Sequence, residues 1–147
     1  MTTTHFENRL TIDADPADVW ALTENIERWP SITPTVTSVE RIGTGPLTAG
    51  DTAVVHQPRQ RPATWTITEI EAPHRFVWTR SLLGVTMIAG HHLTDTDDGC
   101  EQTLTIDLEG RGARLLARLV GRAIATAIAT ENASFKRHAE ASGHPAR

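Results

Sequence analysis

The chain has 147 residues and a formal net charge of -4, with 22% charged and 39% hydrophobic residues. That size suits one domain able to bury about two thirds of its unfolded surface. One lysine (Lys136) beside 13 arginines, in a chain that is acidic overall, leaves no general basic field of the kind nucleic-acid binding needs.

Cys100 is the only cysteine, which excludes an internal disulfide and fits a reducing, cytoplasmic setting. Residues 1–8 lack the basic start and apolar run of a signal peptide. No window reaches the roughly 18 apolar residues of a membrane span, so a soluble protein without stable membrane insertion is expected.

Residues 5–13 alternate Phe6, Asn8, Leu10 and Ile12 with Glu7, Arg9, Thr11 and Asp13, the period of a strand with one inward face. Asp15 then precedes Pro16, and Asp18 follows, so a capping side chain, a proline at the first helical position and an acidic first turn coincide. A short helix starts there with Val19 and Trp20 inward. A second short helical stretch carries Ile26 and Trp29, and Pro30 and Pro34 are expected to stop it.

Residues 34–43 form a second strand with Val36, Val39 and Ile42 as apolar members, ending in turn-rich residues 43–50. The third strand is residues 52–57, followed by a loop stiffened by Pro58 and Pro62. Residues 64–71 and 75–81 follow, the first placing Trp65 and Ile67 on one side, the second giving Phe76, Trp78 and Arg80 a common face. Residues 85–94 and 101–109 are joined through Asp97-Asp98-Gly99, a hairpin turn. Seven strands linked mainly by short turns require an antiparallel sheet.

Residues 113–141 contain no proline and make one helix of roughly 43 Å at about 1.5 Å per residue. On the helical wheel Leu116, Leu119, Val120, Ala123, Ile124, Ala127, Ile128 and Phe135 fall on one side, opposite Arg111, Arg114, Arg118 and Arg122. Ala123 and Ala127, with Gly121 beside them, thin the apolar stripe near its middle. They either roof a ligand space or allow close contact between helix and sheet. The whole chain is one domain, with a core over about residues 5–141 and a loose tail over 142–147.

Several local sequences carry a resemblance. They are Asp15-Pro16-Ala17-Asp18-Val19-Trp20, Arg28-Trp29-Pro30, Trp65-Thr66-Ile67-Thr68-Glu69, Phe76-Val77-Trp78 and the Asp98-Gly99 hairpin. With the order of elements, they resemble the START-like superfamily (SRPBCC), which includes polyketide cyclase/dehydrase and lipid-transport proteins. The resemblance implies an α+β helix-grip fold: a seven-stranded antiparallel curved sheet wrapped around a long C-terminal helix, with two short helices after strand one. It further implies an internal cavity for an apolar or amphipathic small molecule, with residues 58–62 and 82–84 bordering its mouth. Such landmarks are structural and specify fold more than activity.

Within that frame the expected ligand walls are Trp65, Ile67, Trp78, Met87, Ala89, Ala123, Ile124, Ala127 and Ile128, offering stacking and aliphatic surface. The register that turns Met87 and Ala89 inward also turns His91 inward, where it meets His56 or Arg80 as a general base, or rests as a core histidine satisfied by backbone or water. Arg80 either binds a carboxylate or enolate oxygen or reaches solvent from its strand end. Adjacent His91 and His92 point to opposite sheet faces and cannot share a metal. Glu131 is the misfit of the last helix, a carboxylate inside the apolar stripe that needs an arginine from the sheet or an escape past its edge. Gly110-Arg111-Gly112 reads as a turn or as an anion-binding helix start.

No paired-cysteine pattern, nucleophile elbow or nucleotide fingerprint is present, so neither cofactor nor metal is expected. The first functional expectation is a binding protein for a hydrophobic molecule such as a polyketide, lipid, quinone or isoprenoid. The second is an aromatase, cyclase or dehydratase using Arg80, His91 and His56 without a metal. Aromatising cyclases of the superfamily often combine tyrosine with arginine, and this chain has no tyrosine. The third is a protein-binding module like the superfamily's co-chaperones, which would have a filled core. A monomer or weak homodimer is expected.

Overall fold

A computed structural model of the chain describes residues 3–142. Of the tail expected over 142–147, Ser142 ends the last helix, and residues 143–147 lie outside the described residues. The strands are β1 (Thr3–Ile12), β2 (Ser38–Ile42), β3 (Thr52–His56), β4 (Ala63–Glu71), β5 (Arg75–Leu82), β6 (Val85–Thr96) and β7 (Gly99–Gly110). The helices are α1 (Pro16–Glu24), α2 (Trp29–Ile32) and α3 (Ala113–Ser142), with a 3-10 turn at Ile26–Arg28 before α2. All seven strands form one antiparallel sheet in the order β1-β7-β6-β5-β4-β3-β2. This is the helix-grip arrangement.

Local chemistry explains the starts and stops. The Asp15 carboxylate accepts the Ala17 amide at 2.9 Å and caps α1. The helix breaks at Asn25, whose backbone leaves the helical region (φ -91°, ψ 70°). Pro30 does not stop the second helix, contrary to the sequence expectation. It sits in the first turn of α2, where a missing amide hydrogen costs no helical bond. The Trp29 indole N–H, shared between the Leu22 and Thr23 carbonyls at 3.1 and 3.2 Å, ties α2 back to the end of α1. Strand β2 is shorter than expected, and Ile42 is 58% exposed, because alternation turns Val39 and Arg41 inward and Glu40 and Ile42 outward.

Helix α3 crosses the sheet at its β1/β7 edge. Buried Asn132 anchors it, donating to the backbone carbonyls of Asn8 and Gln102 and accepting from the Gln102 side chain. Lys136 donates to the Thr11 carbonyl at 2.7 Å, and Glu140 accepts the Asp13 amide. At Gly121 an added Cβ would lie 3.5 Å from the Phe6 ring, so helix and β1 approach closely there. Among the described residues the N-terminal half of α3 makes no such side-chain hydrogen bond to the sheet. Leu119, expected on the buried stripe, is 72% exposed, because the line of contact passes instead through Ala113, Ile128 and Phe135.

The crossing splits the core. One apolar cluster gathers the short helices, the β3–β6 inner face and Phe135. A second joins Val85, Leu108 and Ala113 to Phe6, Leu116 and Ile124. Met87 and Ile106 touch both, and the two clusters do not otherwise merge.

Candidate functional site

The space between the two clusters is a cavity of about 470 Å³, within the range of small-molecule sites. Strands β3 to β7 supply its floor, α2 one end and the middle of α3 its side. Trp65 and Trp78 form one wall, their rings 5.4 Å apart and inclined at 32°. Met87, Ala89, Ile106 and Ile128 add aliphatic surface. Lining residues that are also exposed mark the mouth: Pro58, Arg59 and Gln60 after β3, Leu82 at the end of β5, and Val120 and Ala123 on α3. Ala123 therefore stands at the opening, and half-buried Ala127 lies further in.

A buried imidazole and a carboxylate meet in the lining. His91 is 4% exposed, and its Nε2 stands 3.3 Å from Glu131 Oε2, on α3. Glu131 Oε1 accepts the Thr35 hydroxyl at 3.0 Å, and that hydroxyl lies 2.9 Å from the Thr33 hydroxyl. Aromatic rings hold the imidazole in place: Trp29 at 5.0 Å, Phe135 at 5.4 Å and Phe76 at 6.0 Å between centroids. Such packing fixes ring orientation, and the carboxylate fixes which nitrogen it faces. His91 Nδ1 and Trp65 Nε1 are buried with no hydrogen-bond partner among the described residues. Unpaired buried polar atoms are uncommon and costly.

The expected site residues divide clearly. Trp65, Trp78, Arg80, Met87, Ala89, His91, Ala123, Ile124, Ala127 and Ile128 all line the cavity. Ile67 does not. It is 2% exposed and packed into the first core cluster. His56 does not either, because buried Val55 takes the inward position of β3 and alternation sends His56 outward, opposite Ser38 at the sheet's edge pair. His91 therefore meets neither His56 nor, as its nearest charge, Arg80. Its partner is Glu131, for which an arginine of the sheet was expected. His92 faces the other side of the sheet, 3.4 Å from the Thr105 hydroxyl, and burial together with nearby Arg75 lowers its pKa. Trp29, Thr35 and Gln57 also line the cavity and were not anticipated. The one available signal was Glu131 itself, a carboxylate that had to find company.

Arg59 and Arg80 line the cavity and have no carboxylate partner among the described residues. They can receive an oxygen-rich or anionic end of a ligand. No described helix is long and apolar enough to cross a membrane.

Solved structures with this fold include the di-domain ARO/CYC StfQ from the steffimycin biosynthetic pathway (11% identity, TM-score 0.76, covering 95% of this chain and 52% of that one). The aromatase/cyclase ZhuI from Streptomyces sp. R1128 is 19% identical, with TM-score 0.68 and coverage of 97% and 100%. Norcoclaurine synthase from Thalictrum flavum, in complex with dopamine and hydroxybenzaldehyde, is 15% identical, with TM-score 0.76 and coverage of 97% and 90%. The chain thus spans about half the length of the di-domain proteins and nearly all of the other two. At these identities the likeness is one of fold. No curated protein matches the chain. Residues 3–140 match the family model for polyketide cyclase / dehydrase and lipid transport, and the chain belongs to that family.

Proposed function

We propose that this protein takes up a small amphipathic molecule, of polyketide, lipid, quinone or isoprenoid type, and holds its polar end near His91 and Glu131. The observation that carries this reading is the divided core: a cavity of about 470 Å³ with indole and aliphatic walls and a single buried imidazole–carboxylate pair. Apolar walls supply most of the binding free energy, and a few placed polar groups set orientation. The hollow core gives no support to a protein-binding module with a filled interior. Native mass spectrometry of freshly purified protein, with titration of an apolar fluorophore, tests the proposal. A co-purifying apolar mass or saturable one-to-one binding supports it; neither, at millimolar probe, overturns it.

A second reading is favoured by one feature, the His91–Glu131 pair in the cavity wall. An imidazole held by a carboxylate can remove a proton from a carbon between two carbonyls and, once that carbon has closed on a ketone, return it to the new alkoxide; removing that carbon's second proton and delivering it to the resulting hydroxyl then releases water and leaves the double bond. Arg80 would stabilise the enolate oxygen. On this reading the protein is a cyclase or dehydratase. Glu131→Gln would lower kcat on a polyketone by roughly 10²- to 10⁴-fold while leaving probe affinity within a few-fold. Unchanged turnover in both Glu131→Gln and His91→Gln would remove the pair from any reaction.

A further inference from the structure

From the surface around the cavity mouth we infer that this end of the molecule docks on an anionic lipid surface. Three leucines stand out there: Leu83 at 93% exposure, Leu119 at 72% and Leu115 at 62%. They occupy two elements brought to the same end of the fold. Val85 pairs with Gly110, and a Cβ on Gly110 would meet the Gly84 carbonyl at 2.3 Å, so the β5–β6 turn rests against the start of α3. Leu115 and Leu119 are one turn apart, beside Leu116 and Val120 of the cavity lining. Leu82, next to Leu83, also lines the cavity. The exposed leucines thus border the opening.

Charge sets the occupant. Arg111, Arg114, Arg118 and Arg122 lie along the same segment, and from Gly110 to Thr130 there is no acidic residue, in a chain whose net charge is -4. None of the four has an ion-pair partner among the described residues. Arg118 and Arg122 adjoin the leucine stripe on the helical wheel, on the side away from the cavity. A helix presenting leucine next to arginine suits the boundary between headgroups and acyl chains, where both the apolar contact and the anionic charge are met. The leucines stand singly beside the opening, each 62% or more exposed, and those of α3 are bordered by arginine, which favours a fluid anionic surface as the occupant. Docked in this way, an apolar ligand would pass from acyl chains to cavity without crossing water. That purpose rests on the uptake reading above; the docking itself does not.

Flotation of the full chain with phosphatidylcholine vesicles, with and without 30% phosphatidylserine, is the test. Binding is expected on the anionic vesicles and should fall steeply with salt. Arg118→Gln with Arg122→Gln should weaken partitioning by roughly 25-fold, about fivefold per arginine. Leu83→Gly with Leu119→Ser should weaken it about tenfold or more. Leu83 has φ 48°, which glycine adopts freely, so that substitution leaves the turn in place. Neither pair lies in the cavity lining, so apolar-probe affinity in solution should be unchanged. Absent vesicle binding, equal binding to neutral vesicles, or indifference to both pairs of substitutions overturns the docking while leaving ligand uptake to its own titration. Retention on an acidic protein without vesicle binding, or a dimer dissolved by the leucine substitutions, would assign the face to another occupant and equally overturn it.

Discussion

Filling the cavity with a ring separates a hollow core from a packed one by the sign of a stability change. Ala127 lines the cavity from α3 and is half-buried. A cavity of about 150 Å³ accommodates one benzene, so the 470 Å³ here has room for about three rings, and Ala127→Phe would occupy roughly a third of it. The ring removes about 100 Å² of additional apolar surface from water, worth about 2.5 kcal/mol at roughly 25 cal/mol per Å². Lower helix propensity offsets about 0.5 kcal/mol, and loss of rotamer freedom about as much or somewhat more. A net gain of about 1 kcal/mol remains, raising Tm by roughly 2–4 °C. In a packed core the same insertion would cost about 1–3 kcal/mol. Calorimetry gives the sign, and fluorophore titration should show affinity falling about tenfold. A lower Tm together with unchanged probe binding would mean that no usable space lies beside Ala127.

Three further expectations test other parts of the fold. Gly121→Ala places a methyl at ordinary contact distance from Phe6 and should stabilise α3 by about 0.5–1 kcal/mol; a fall in Tm would show that helix and β1 are closer than described. His5 lies between Glu7 and Asp107, at 3.1 and 2.6 Å, and these bonds, Glu7 first, raise its pKa above the ordinary 6.5. Its stabilising contribution is therefore complete below the unfolded value and disappears as pH rises through the folded one. The Tm difference between wild type and His5→Gln should be largest near pH 6 and vanish by pH 9, and a constant difference would discard the linkage. Cys100 is buried, and desolvation pushes its thiol up to about 11. Only about a thousandth is thiolate at pH 8, so iodoacetamide labelling should follow unfolding; prompt native labelling would contradict the burial.

Much of the fold was legible because each element repeats its own period. Gln102, Leu104, Ile106 and Leu108 alternate along β7 and all turn inward, with Gln102 and Leu104 almost wholly buried. Glu131 was visible as a misfit for the same reason. Its partner was not, because His91 lies on β6 and only the path of α3 over the sheet brings the two together. Arg80 and His91 lie on the inward face, in the cavity lining. His56, expected there, does not, because the phase of a five-residue strand changes face with a one-residue shift.

Periodicity along a single segment determined that this chain has seven strands, a capped helix after the first, and a long amphipathic helix at its end. Tertiary structure decided that α3 lies over β1 and β7, that Leu119 faces solvent, and that the core parts into two clusters around a void. A repeat records which way a side chain points relative to its neighbours along the chain. Whether two apolar surfaces meet or leave a gap depends on the curvature of one and the line along which the other crosses it, and neither is encoded in any one segment.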